Sequence, residues 1–221
     1  MNTFTDAKSS QSIFTFFDFD SLIQPTKNQD TEIVKQLAFI PGIKDILMLR
    51  QVHALEHATV WVLSELNNTA QNSTDQLLGG LSTEQGFYLY GHINQATLHS
   101  AVKIALQRLI EGEWRLAIHP RCGTNISVGF LLAAGLTVGF HLLLPRGPIE
   151  QFFGLGLAAT TAAYLAPDVG MLAQRYLTTA IPFNLAVENI KMTRDVWGQT
   201  AHFIAVRWIE SSDNQTSKRQ H

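Results

Sequence analysis

Apolar residues recur at Ile43, Ile46, Leu47, Val52, Leu55, Val60, Val62, Leu63 and Leu66, a spacing that predicts a long helix over residues 43–66. Pro41-Gly42 precedes it and Asn67-Asn68 ends it; residues 67–85, rich in Gly, Ser, Thr, Asn and Gln, read as a loop. Residues 86–91, GFYLYG, form a short strand pattern between glycines. Asn94 is placed to cap a helix with Leu98, Ala101, Val102, Ala105, Leu106 and Leu109 on one face, and Gly112 ends it. Residues 114–118 then alternate as a second strand would.

The pattern changes at Cys122. Residues 122–145 contain no formal charge, and at ~1.5 Å per residue a helix here crosses a hydrocarbon core of about 30 Å. A second uncharged run covers residues 151–167 and lengthens through Val169–Ala173 if the helix passes Asp168, whose expected role is a helix cap. Pro145-Arg146-Gly147-Pro148 is the turn between them. Gly135 and Gly139 in the first run, and Gly154, Ala158 and Ala162 in the second, allow two membrane helices to approach closely or a second copy to pack on the glycine-lined hairpin. The competing reading is a buried hairpin of a soluble protein. In 201–209, His202 and Trp208 lie in an apolar stretch that fits a strand or a core helix.

The expected fold is therefore mainly α with a small α+β unit: a central helix and a strand–helix–strand, followed by a two-helix transmembrane hairpin. The domain reading is a tail over 1–35, an α+β domain over 36–122, the hairpin over 123–174, a C-terminal segment packing on the domain over 175–210, and a polar tail over 211–221. In the N-terminal tail, Phe14, Phe16, Phe17 and Phe19 form an aromatic cluster able to dock on the body or on lipid.

Charge sharpens this picture. The chain's 34 charged residues are 16 basic and 18 acidic, and only five of them fall in residues 123–190. With a net charge of −2 and no basic run, nucleic-acid binding is not expected. Residues 1–21 hold one Lys and three Asp and no continuous apolar stretch, so no cleavable signal is read there. Arg108, Arg115, Arg121 and Arg175 flank the hairpin outside and Arg146 alone lies in its turn, which places both termini in the cytoplasm.

The candidate chemistry begins on the first helix, in His53-Ala54-Leu55-Glu56-His57. At about 100° per residue the three polar side chains fall on one face, where two imidazoles one turn apart can grip a metal and the carboxylate can orient or deprotonate a water. The pattern is H-x-x-E-H, the inverse of the H-E-x-x-H peptidase motif. A third ligand is available in His119-Pro120-Arg121-Cys122-Gly123-Thr124-Asn125, where a Pro/Gly turn presents His119 and Cys122 together. The single cysteine excludes a disulfide framework and a CxxC zinc ribbon. His141 stands inside the first membrane run, facing a bundle interior; His92 and His99 read as surface residues.

The pair H-x-x-E-H plus H-P-R-C-G-T resembles the paired signatures of a bacterial integral-membrane family of unknown function predicted to be metal-dependent. Over roughly residues 40–195 the chain is still more similar to a second uncharacterised membrane family, common in oxygenic photosynthetic bacteria. The resemblance implies a metal site at the membrane, plasma or thylakoid, with His53, Glu56, His57, His119, Arg121, Cys122 and Thr124 as the matching positions. This sequence departs from the first family at Ala54-Leu55 and at Asn125, leaving the ligands intact. Inverted-motif metallopeptidases take a third ligand, a Glu, about 70–80 residues downstream, where this chain offers only apolar, small and hydroxyl residues.

The resulting expectation is a membrane-associated metal-dependent hydrolase, plausibly a peptidase. His53, His57 and His119 or Cys122 hold zinc or another divalent first-row ion, Glu56 is the general base, and Arg121, Thr124 or Asn125 stabilises an oxyanion or binds a substrate end. Two alternatives stand beside it: a structural site closed by all four ligands, and a metal-free membrane scaffold or assembly factor.

Overall fold

A computed structural model describes residues 25–69 and 79–210. The Phe cluster of the N-terminal tail, the polar C-terminal tail and residues 70–78 of the 67–85 loop lie outside the described residues. The helices are α1 (Gln29–Gln36), α2 (Ile43–Thr69), α3 (Gln95–Ile110), α4 (Gly123–Leu143) and α5 (Pro148–Ala173). The strands are β1 (Gly79–Thr83), β2 (Gly86–Tyr90), β3 (Leu185–Arg194) and β4 (Thr200–Trp208). The molecule is mainly helical, with one small antiparallel sheet of order β1-β2-β4-β3.

Helix α2 is the axis of the fold. Every residue from Gln51 to Val60 except His53 is buried, so this helix is enclosed on all sides and does not present a single stripe. Val52, Leu55 and Leu63 pack with Leu98, Val102 and Leu109 of α3 and with Phe87, Leu89 and Ile204 of the sheet. Such a core is why His57 and Glu56, both buried, are held rigidly where they stand.

Helix α3 starts where the sequence predicts: the Asn94 side chain accepts from the backbone N–H groups of Ala96 (2.8 Å) and Thr97 (3.4 Å). Asn94→Ala is expected to destabilise the protein by about 1 kcal/mol, read as a lower urea midpoint with unchanged slope. Unchanged stability would mean the cap contributes nothing here.

Four expectations are corrected. Residues 114–118 are not a strand: Trp114–Ala117 forms a 3₁₀ turn between Gly112, at φ +112°, and the His119 loop. The strand–helix–strand unit is replaced by a sheet completed from the far end of the chain, with β4 inserted between β2 and β3. Two elements occupy stretches read as loop and tail, β1 at Gly79–Thr83 and α1 at Gln29–Gln36. Finally, α5 continues through Pro167 and Asp168 to Ala173, so Asp168 lies within the helix and caps nothing.

Helices α4 and α5 pack against each other in antiparallel order. Gly129 faces Ala166, Gly154 faces Phe140 and Leu144, and Gly170 leaves room for Asn125. Gly154, Ala158, Ala162 and Gly170 are buried in this contact, whereas Gly135 and Gly139 of α4 face open space and do not form it. The outward residues are apolar: Phe130, Leu131, Leu142 and Leu143 are each more than 70% exposed. Both helices are long and apolar enough to cross a membrane, and little of their apolar surface is buried inside the molecule. His141 Nδ1 lies 2.7 Å from Gln151 Oε1, tying the two helices near their turn.

Candidate metal centre

Helix α5 does not end as a regular helix. Gln174–Thr178 winds as a π turn, in which Thr179 N–H donates to Gln174 O (2.9 Å). The wider winding leaves carbonyls free to face α2: Arg50 Nη2 donates to the carbonyls of Tyr176 (3.2 Å) and Thr179 (3.0 Å), and Thr178 O lies 3.1 Å from His53 Nδ1.

The second histidine is held in the same way from another element. His57 Nδ1 lies 2.7 Å from the carbonyl of Ala117, in the 3₁₀ turn. Because a carbonyl only accepts, each neutral ring carries its proton on Nδ1 and keeps the Nε2 lone pair for a ligand, the arrangement usual around metal-binding histidines. The two rings stand one turn apart on α2, with centroids 4.3 Å from each other.

Cys122 completes the group. It caps α4, its Sγ accepting from Thr124 N–H (3.4 Å), and Sγ lies 3.2 Å from His53 Nε2. One ligand atom from each of His53, His57 and Cys122 lies within 4.8 Å of the others. Burial alone would push the thiol up, but the interactions with His57 and Thr124 outweigh it and hold Cys122 below the ordinary thiol value. Two imidazoles and a thiol of lowered pKa are a donor set suited to zinc and neighbouring first-row ions.

His119 is brought to the edge of this group without joining it. Its ring is 5.8 Å from that of His57 and 5.1 Å from Trp61, and its Nδ1 accepts from Arg121 N–H (3.2 Å). Burial, the charge of His57 and the charge of Arg121 lower its pKa to about 4. Folding thus keeps neutral a ring that the unfolded chain protonates below about 6.5. Stability of the metal-free protein is expected to rise with pH between about 4 and 6.5, and His119→Asn is expected to flatten that rise in thermal unfolding. The same slope in the variant would remove His119 as its source.

The Glu56 side chain meets β1. Its Oε2 accepts from Ser82 Oγ (2.5 Å), and its Oε1 occupies the space a side chain at Gly80 would need. Burial raises its pKa, an effect partly offset by the Ser82 hydrogen bond and the charge of His53. The carboxyl is therefore buried and within electrostatic reach of His53, a favourable setting for a group that takes and gives a proton.

Of the remaining predicted residues, Thr124 places its hydroxyl 3.4 Å from that of Thr178, and Arg121 is exposed. Asn125 is structural: it accepts from Gln174 Nε2 (2.7 Å) and donates to Pro120 O (2.8 Å). Gln174, fully buried, also accepts from His119 N–H (2.8 Å) and so fixes the whole His119–Cys122 loop against the end of α5. Sequence reasoning missed Gln174, Thr178, Ser82 and Ala117. The only available signal was a polar Gln-Arg-Tyr-Leu-Thr-Thr stretch after an apolar run, since Ala117 acts through its backbone.

A family model described as a domain of unknown function (DUF6391) matches residues 48–190. That span includes all three donors, the α4–α5 pair and Thr178. An uncharacterized protein of Picosynechococcus sp. is 51% identical over 199 residues, covering 89% of this chain and 97% of that protein. No solved structure matches the chain.

Proposed function

The chain belongs to the DUF6391 family, and for this member we propose a membrane-embedded, metal-dependent hydrolase of the peptidase type, whose site sits where α2 meets the α4–α5 pair. The observation that carries it is the convergence of His53, His57 and Cys122 with both Nδ1 atoms already committed to backbone carbonyls. Three protein donors with one position left over is the pattern of catalytic zinc, whereas closed structural sites use four. His119, the candidate fourth donor, has its Nδ1 occupied and stands outside the group.

A bound zinc would supply Lewis acidity and a readily ionised water at this point. Glu56, a carboxyl whose pKa burial raises, then serves as the proton carrier. Ser82 Oγ of β1 donates to its carboxyl, and Gly80 leaves the carboxyl room. Arg121, beside the donors and exposed, is the group available for an anionic substrate end. The apolar, outward-facing surfaces of α4 and α5 support the membrane reading, because a soluble monomer rarely exposes so large an apolar surface. Termini in the cytoplasm remain the orientation that the arginine distribution favours.

Zinc-edge X-ray absorption tests the open site. One sulfur, two imidazoles and one exchangeable oxygen are expected; one sulfur and three imidazoles would replace this reading with a closed structural centre.

A further inference from the structure

Ala117, whose carbonyl holds His57, and Thr179 also line a cavity. It is a cleft of about 760 Å³ whose wall includes Arg50, Arg115 and Arg175 together with Trp114 and Tyr176. Asp30 is the one acidic residue among the described residues lining it, and Asp30 Oδ2 already accepts from Gln51 Nε2. Among the described residues neither Arg50 nor Arg115 makes an ion pair.

Two residues of the wall also carry a buried donor that lacks an acceptor. Arg50 is anchored through Nη2 to the carbonyls of Tyr176 and Thr179, yet its Nε is buried without a hydrogen-bond partner. Trp114 Nε1 is in the same state. Three arginines around one cleft fit an acceptor-rich anion, because charge-assisted bonds to phosphate are strong. Arg175 and Tyr176 lie in the turn that directly follows the apolar part of α5, which is headgroup depth for a spanning helix.

We propose that this cleft binds a phosphate group, and that its source is the headgroup of an anionic membrane lipid. The lipid source rests on the reading of α4 and α5 as membrane-spanning; the phosphate chemistry rests on the arginine-lined wall alone.

The test uses the full chain in nanodiscs of mixed phosphatidylcholine and phosphatidylglycerol, with retained lipid counted by native mass spectrometry and inorganic phosphate titrated separately. Arg115 and Arg175 are exposed, so R115Q/R175Q leaves the core untouched; R146Q, in the α4–α5 turn, is the charge control. Wild type and R146Q are expected to retain phosphatidylglycerol, and R115Q/R175Q to hold it at least about tenfold more weakly, with metal content unchanged. Arginine-dependent binding of inorganic phosphate without lipid retention would uphold the anion site and make its ligand soluble. Equal lipid retention by the double variant, or no binding of either probe, would overturn the proposal. A protein that stays soluble without detergent would remove the membrane reading, while the phosphate titration would still decide the cleft.

Discussion

Cys122→Ser is expected to weaken zinc binding by at least about 100-fold, the upper end of what losing even an outer-shell partner costs, while leaving the fold in place. The residue has two roles that this exchange separates. As the cap of α4 it accepts from Thr124 N–H through Sγ, and serine is among the best residues at that position. As a metal ligand beside His53 Nε2 it would supply a thiolate, which a serine hydroxyl does not replace because its proton is not lost near neutral pH. Competition with a chromogenic chelator, run beside circular dichroism, checks both. Unchanged affinity would show that Cys122 only caps the helix.

Glu56→Gln is expected to keep the metal and the fold but to lower turnover by about 10²–10⁴, the range for loss of a general acid–base group. Glutamine preserves the shape and can still accept from Ser82 Oγ, whereas it cannot carry the proton. Gly80→Ala approaches the same group from its neighbour. The added methyl would fall on the Glu56 carboxyl, which must move, at a cost of about 1–3 kcal/mol for overpacking. Turnover on a peptide or ester identified with the wild-type protein measures both variants. Full activity in Glu56→Gln would assign the proton transfer elsewhere.

Local signals in the sequence carried much of this structure. The Asn94 cap, the inward face of α3 and the uncharged runs of α4 and α5 each follow from residues near one another in the chain. What failed depended on distant partners. β3 mixes polar and apolar residues and carries a register shift between Val187 and Asn189, so its period of two is broken. Trp114–Ala117 alternates in composition yet coils, because β4 and not this segment fills the sheet beside β2.

The candidate site divides along the same line. His53, Glu56 and His57 were legible from helical spacing, and Cys122 from its turn. The choice between His119 and Cys122 was not, since it depends on Gln174 and Arg121 fixing the loop and on two backbone carbonyls, from Thr178 and Ala117, aiming the rings. A backbone acceptor leaves no mark in the identity of its residue.

Metal content per chain of the detergent-purified protein, measured beside a His53→Ala/His57→Ala variant of confirmed fold, tests the central claim most directly. Roughly one zinc or other first-row ion per wild-type chain, absent from the variant, is the expected result. A wild-type protein that stays metal-free after incubation with zinc, or a variant that keeps its metal, would contradict it.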